Sequence, residues 1–323
     1  RHKYITMAKI LANDGISHSG VKALESNGYE VSTTNVAQEQ LINHINENQI
    51  DVLLVRSATT VRKVLIDACS SLKIIGRGGV GMDNIDVDYA REKGLHVINT
   101  PAASSLSVAE LVFAHLYGGV RYLFDSNRNM PLEGDTKFKV LKKNYASGSE
   151  LRGKTMGIIG FGRIGQETAK IALGVGMNVI AHDPFIEKAA LKIALGNDVT
   201  VDYIIPMASF ETVIKDSDFI SLHVPAQDKP VIGKKEFAKM KKGAGLINAS
   251  RGGVIDEESL LDALDNGQLS FAGLDTFVNE PKPAMKVLMH PKVSLTPHIG
   301  AATKEAQDRI GTELAQHIHA ILG

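Results

Sequence analysis

Thr155-Met156-Gly157-Ile158-Ile159-Gly160-Phe161-Gly162-Arg163-Ile164-Gly165 is the stretch on which the reading of this chain turns. A short apolar run that suits a buried strand enters a G-x-G-x-x-G turn, and a helical pattern follows from Arg163 to Val175. A lone G-x-G-x-x-G is weak, because glycines occur in many turns. Here the next strand, Asn178 to Ala181, is followed by Asp183, 23 residues after Gly160. Gly160 allows the tight turn, Gly162 lets a pyrophosphate approach the backbone, and Gly165 lets helix and strand pack closely. The helix N-terminus offers unpaired N–H groups to phosphates, and Asp183 can accept both ribose hydroxyls while repelling a 2′-phosphate. The expected cofactor is NAD rather than NADP.

Downstream, further strands are expected at Phe219–Leu222, Gly245–Asn248 and Ser270–Leu274, with helices over Ala208–Lys215 and Glu257–Asn266. Three stretches carry the reactive groups: Asn248-Ala249-Ser250-Arg251-Gly252-Gly253, Asp275-Thr276-Phe277-Val278-Asn279-Glu280-Pro281 and Thr296-Pro297-His298-Ile299-Gly300-Ala301. The guanidinium of Arg251 can hold a carboxylate or carbonyl through two parallel N–H bonds. An imidazole in general suits proton exchange near neutrality, so His298 can give a proton to a substrate oxygen or take one from it. Glu280, 18 residues earlier, can orient that ring and favour its protonated form. No other histidine has such a setting, and His317 and His319 are read as surface or packing residues. No cluster has metal-ligand spacing, so no metal is expected.

Upstream, strands at Lys9–Ala12, Tyr29–Val31, Asp51–Val55, Lys73–Gly76 and His96–Asn99 alternate with helices over Val21–Asn27, Gln38–Asn46, Val61–Ala68 and Val87–Lys93. The class is α/β, two doubly wound parallel-sheet domains. Ser107-Val108-Ala109-Glu110 has the pattern of a capping box opening a helix to about Phe124. Residues 127–152 read as a loop with one short helix. The last helix, Thr303 to Leu322, is expected to pack back on the first domain.

Composition narrows the partners. Of 323 residues, 36 are basic and 36 acidic, and the neutral balance argues against nucleic acid. The single cysteine, Cys69, excludes an internal disulfide and fits a reducing compartment, so the expected location is cytoplasmic. It sits among apolar residues at helical spacing and reads as core. No membrane span or signal peptide is visible. The opening Arg1-His2-Lys3-Tyr4-Ile5-Thr6 lacks an initiator methionine and reads as a remnant of processing or expression.

The Gly-rich loop, Asn248–Gly252, Gly273-Leu274-Asp275 with Glu280-Pro281, and Thr296–Gly300 together resemble the D-isomer-specific 2-hydroxyacid dehydrogenases, from about Lys9 to the end. The resemblance implies a flavodoxin-like substrate domain of residues 7–104 and 297–323, with a Rossmann NAD-binding domain of residues 105–296 inserted in it. It implies catalysis by Arg251, Glu280 and His298. Arg163 and Ile164 would contact the pyrophosphate, and Ala249, Asp275, Gly300 and Ala301 would border the nicotinamide. His223-Val224-Pro225 looks like the loop beside the cofactor. Small 2-hydroxy or 2-keto acids are the implied substrates, and a homodimer or homotetramer the implied assembly.

Within the family, Val55–Thr59 and Gly76–Asp86 are most similar to D-3-phosphoglycerate dehydrogenases, NAD-dependent enzymes of serine biosynthesis. Backbone amides at Val80 and Gly81 would bind the substrate carboxylate, Arg56 would meet a phosphate, and Ser57 is a further expected substrate contact. Arg77 could join them or form a structural ion pair. Three departures stand out. The sequence runs to the last family helix, so the regulatory domains of longer relatives are expected to be absent; Ala226–Ile232 lacks the family's usual Thr; and no tryptophan precedes the nucleotide domain. The alternatives are a glyoxylate or hydroxypyruvate reductase and a corepressor-like dinucleotide-sensing scaffold.

Overall fold

Val52-Leu53-Leu54-Val55 is buried at every residue, as is Phe219-Ile220-Ser221-Leu222, and unbroken burial marks strands covered on both faces. Around such strands the computed structural model, which describes residues 7–323, divides into two units, each with its own core. The expectation for residues 1–6 lies outside the described residues.

The first unit holds residues 7–105 and Ala301–Gly323. It runs β1 (Lys9–Ala12), α1 (His18–Ser26), β2 (Glu30–Ser32), α2 (Leu41–Asn48), β3 (Val52–Val55), α3 (Lys63–Ala68), β4 (Ile74–Arg77), α4 (Val87–Glu92) and β5 (His96–Asn99). The strands are all parallel in the order β2-β1-β3-β4-β5, the flavodoxin-like arrangement. Cys69 is buried in this core.

The second unit, Leu106–Gly300, is entered along α5 (Ser105–Val120) and continues through α6 (Leu123–Glu133), α7 (Phe138–Asn144), β6 (Thr155–Ile159), α8 (Arg163–Gly174) and β7 (Asn178–His182). A hairpin of β8 (Lys188–Leu195) and β9 (Val199–Pro206) comes next. The rest is α9 (Phe210–Asp216), β10 (Phe219–Leu222), α10 (Lys234–Lys239), β11 (Ala244–Asn248), α11 (Glu257–Asp265), β12 (Leu269–Leu274), α12 (Met285–Leu288) and β13 (Val293–Leu295). Its main sheet is parallel in the order β13-β12-β11-β10-β6-β7. The chain then returns to the first unit in α13 (Lys304–Leu322), where Ile310, Leu314, Ala315 and Ile318 join the core of Ile10, Leu24, Val52 and Leu54. Thr303 caps it, its side chain accepting from Ala306 N–H.

Several expectations need correction. Ser107 does not cap α5. The helix starts two residues earlier, and Ser107 Oγ donates to the Gly300 carbonyl at 2.7 Å. A tertiary acceptor outweighs the local capping pattern. Residues 127–152 contain most of α6 and all of α7 rather than one short helix, and Pro131 lies inside α6. The hairpin, α10 and β13 were not foreseen. The return to the first unit comes after Gly300, four residues beyond the expected 296.

Candidate active site

Parallel strands send all their carboxyl ends to one side of the sheet, where ligands bind in open α/β folds. Across the second unit's sheet from β13 to β7, those ends lead into Thr296–Gly300, Asp275–Glu280, Ala249–Arg251, His223–Pro225, Gly160–Gly162 and Asp183. The chain leaves β6 for β7 on one side and comes back to β10 on the other. The switch point therefore falls between β6 and β10, at Gly160 and His223.

Gly160 has φ +88°, and a Cβ there would lie 2.1 Å from the His223 carbonyl oxygen. A Cβ on Gly165 would lie 2.3 Å from the Gly160 carbonyl oxygen. Gly162 is the N-cap of α8, and a Cβ there would meet nothing within 4 Å. Arg163 is exposed and Ile164 half-buried on the first turn. Asp183 takes one backbone N–H on each carboxylate oxygen: Phe161 N–H to Oδ2 at 2.8 Å and Phe185 N–H to Oδ1 at 2.9 Å. Each oxygen retains a further lone pair. An open helix N-terminus beside a fixed carboxylate fits a dinucleotide.

His223 Nε2 lies 2.9 Å from Ser221 Oγ and 3.3 Å from Thr168 Oγ1. Its Nδ1 is buried with no hydrogen-bond partner among the described residues. Burial holds the imidazole pKa down to about 3, so the ring is neutral at working pH. Val224 and Pro225 continue the same loop.

Asn248 shapes the turn that presents Arg251. Its Nδ2 donates to the Arg251 carbonyl at 2.8 Å, and its Oδ1 accepts from Ser250 N–H and Oγ at 3.0 and 2.7 Å. Arg251 Nη1 donates to the Ser250 carbonyl at 2.7 Å, and Ala249 is buried at the base. On the neighbouring loop Glu280 Oε1 accepts from Phe277 N–H at 3.0 Å, which leaves Oε2 for the histidine. Oε2 lies 2.8 Å from His298 Nδ1, so Nε2 is the nitrogen available to a substrate. His298 itself is left-handed, φ +54°, with its N–H on the Thr296 carbonyl at 3.0 Å. Asp275, 1% exposed, holds the turn: it accepts from Thr296 Oγ1 at 2.7 Å, Ile299 N–H at 2.8 Å and Gly300 N–H at 2.9 Å.

The second unit thus brings together all the expected cofactor and catalytic residues but one. Ala301 falls in the first unit, as do Arg56, Ser57, Val80 and Gly81. In that unit the switch point lies between β1 and β3. There Asp14, which sequence reasoning missed, accepts from Arg56 N–H at 2.6 Å, Thr59 N–H at 3.1 Å and Thr59 Oγ1 at 2.6 Å. Arg56 lines an open recess of about 500 Å³ with Thr303, Lys304, Gln307 and Asp308. Asn99 Nδ2 donates to the Val80 carbonyl at 2.8 Å and fixes the loop of Val80 and Gly81. Arg77 Nη1 donates to the Gly78 carbonyl at 2.6 Å. Among the remaining histidines, His115 is buried and bonded through both ring nitrogens. An apolar helix face hid it in the sequence.

Residues 113–300 match the sequence model of the D-isomer specific 2-hydroxyacid dehydrogenase, NAD binding domain. The chain therefore belongs to the D-isomer-specific 2-hydroxyacid dehydrogenases, NAD-dependent oxidoreductases. It is 42% identical to a hydroxypyruvate reductase of Thermotoga maritima over 98% of each chain. It is 41% identical to a D-3-phosphoglycerate dehydrogenase of Methanocaldococcus jannaschii over 98% of its own length but 58% of that relative's. Among solved structures it resembles a glyoxylate reductase from Paecilomyes thermophila, with a TM-score of 0.79, 28% identity and coverage of 98% of this chain and 95% of that one.

Proposed function

We propose that the protein oxidises 3-phospho-D-glycerate to 3-phosphohydroxypyruvate, the entry step of serine synthesis. The observation that carries the chemistry is the Glu280–His298 pair, 2.8 Å apart on adjacent strand-end loops. His298 Nε2 takes the proton of the C2 hydroxyl as the carbonyl forms. Glu280 faces the resulting imidazolium, and the Arg251 guanidinium holds the substrate. NAD, when bound, accepts the hydride from C2. Asp183 binds the adenosine ribose and selects NAD over NADP. For the substrate, support comes from Arg56: its backbone is fixed by Asp14, its recess also contains Lys304, and it stands at a switch point. Ser57, Val80 and Gly81 complete the substrate contacts.

A second reading, reduction of hydroxypyruvate or glyoxylate by the same residues, is favoured by the 42% identity to the Thermotoga enzyme. Steady-state rates with 3-phosphoglycerate, glycerate, lactate and glyoxylate on one preparation separate the two. A kcat/KM for 3-phosphoglycerate no better than that for glycerate rejects the first reading. No turnover of any of them would favour a dinucleotide-sensing scaffold. The assembly we propose is a homodimer or homotetramer, supported by exposed Leu123, Leu132, Phe138 and Val140 on α6 and α7. A reducing compartment, the cytoplasm, suits the free thiol of Cys69. No helix among the described residues is long and apolar enough to cross a membrane.

A further inference from the structure

Two polar side chains of α5 reach the turn that holds His298. Ser107 anchors its far end at the Gly300 carbonyl. Two helical turns on, His115 is 2% exposed, and its ring lies against β12 and β13. A Cβ on Gly273 would come within 2.6 Å of His115 Cβ, so strand and helix meet with no room for a side chain. His115 Nδ1 is 2.8 Å from Ser294 Oγ, and Nε2 is 2.8 Å from Thr296 Oγ1.

The order of protons follows from what each group can do. Asp275 Oδ1 accepts from the Thr296 hydroxyl at 2.7 Å. With its proton committed, Thr296 Oγ1 receives one from His115 Nε2–H. In the neutral ring Nδ1 is then the acceptor, and the Ser294 hydroxyl donates to it. Burial lowers the His115 pKa, with the Asp275 charge acting against it, which favours the neutral ring this relay needs. Asp275 passes the constraint on through its two bonds to Ile299 N–H and Gly300 N–H. Those amides directly follow His298, and the Thr296 hydroxyl on the same carboxylate precedes it; its left-handed backbone is a conformation a non-glycine residue keeps only when its surroundings impose it.

We propose that His115 is a positioning residue for His298, acting through Thr296 and Asp275 to fix the turn that presents the catalytic imidazole. The proposal rests on the reading of His298 as the proton carrier. A histidine that merely fills the core would affect folding alone, whereas a positioning residue affects turnover through one nitrogen.

The test compares three variants. His115→Leu removes both bonds. His115→Gln keeps an N–H donor near the Nε2 position, and His115→Asn reaches Ser294 but not Thr296. His115→Leu and His115→Asn should lower kcat about ten-fold or more, because misplaced reacting groups lose rate steeply, while the KM for NAD changes far less. His115→Gln should recover most of kcat. The imidazole NMR resonances of His298 should move in His115→Leu and His115→Asn and stay in place in His115→Gln. In a His298→Ala background, His115→Leu should add no further loss of turnover.

Equal kcat and unmoved resonances in all three variants, with only a lower melting temperature, would overturn the proposal. So would a full additional loss in the His298→Ala background. Should His115→Leu not fold, the Asn and Gln pair decides the same question. If His298→Ala turns over normally, the catalytic reading fails separately, and the His298 resonances still decide whether His115 positions the turn.

Discussion

At the first unit's switch point a carboxylate stitches two loops together; at the second's, glycines strip the loops of side chains. Asp14 takes three hydrogen bonds from Arg56 and Thr59 and leaves the Arg56 side chain to line a recess. In the second unit Gly160 and Gly162 bare the backbone before α8, and the nearest carboxylate, Asp183, stands at the next strand end. The two sheets share a parallel, doubly wound plan. One plan can therefore serve two ends: exposed backbone suits a dinucleotide that every family member shares, and a braced side chain suits discrimination among small acids. On this account the second unit carries the chemistry and the first carries the choice of substrate.

The largest effect should come from His298→Ala. General acid/base groups contribute about 10²–10⁴-fold, so kcat should fall within that range while NADH binding, followed by fluorescence, stays near normal. Glu280→Gln should fall less, because the hydrogen bond survives and only its charge is lost. Near-normal turnover in His298→Ala would remove the chemistry from the second unit. Asp183→Ala should weaken NAD and narrow the gap to NADP in kcat/KM. A wild-type enzyme that already used both equally would show the carboxylate does not select.

Asp14→Ala probes the other side of the comparison. Leaving the Arg56 and Thr59 N–H groups unpaired should cost about 1–3 kcal/mol in urea unfolding and should raise KM before it lowers kcat. A fall in kcat alone would contradict the division. The smallest effect concerns pH. His223 has a folded pKa of about 3, below the ordinary value of 6.5, so its neutral form stabilises the fold. That contribution is fully present above 6.5 and is lost as pH falls toward about 3. The difference in stability between wild type and His223→Asn should therefore shrink across that window. A constant difference would place His223 outside the buried setting described.

Buried strands were legible because their burial is written as apolar runs: Lys9–Ala12, Thr155–Ile159 and Phe219–Leu222 lie where the pattern put them. So was the histidine–carboxylate pair, because Glu280-Pro281 and Thr296-Pro297-His298 stand in the family's order and spacing. The hairpin of β8 and β9 was not legible, because its outer face mixes Lys, Ala, Ile and Asp. β13 is only three residues long. Ser107 matched a capping box in sequence, yet its hydroxyl is used by Gly300, 193 positions away. Asp14 and His115 act by contacts across 42 and 181 positions, which no local pattern encodes.

The division itself is tested most directly by Arg56→Ala, measured for kcat and KM with 3-phosphoglycerate, hydroxypyruvate and glyoxylate on one preparation. A phosphate held by a guanidinium gains charge-assisted hydrogen bonds worth about 1.5–3 kcal/mol each. The KM for 3-phosphoglycerate should therefore rise about ten-fold or more, with kcat and both unphosphorylated acids little changed. An equal loss on all three would contradict the account: Arg56 would then support the shared site rather than the choice of substrate, and the general reductase would be the better reading.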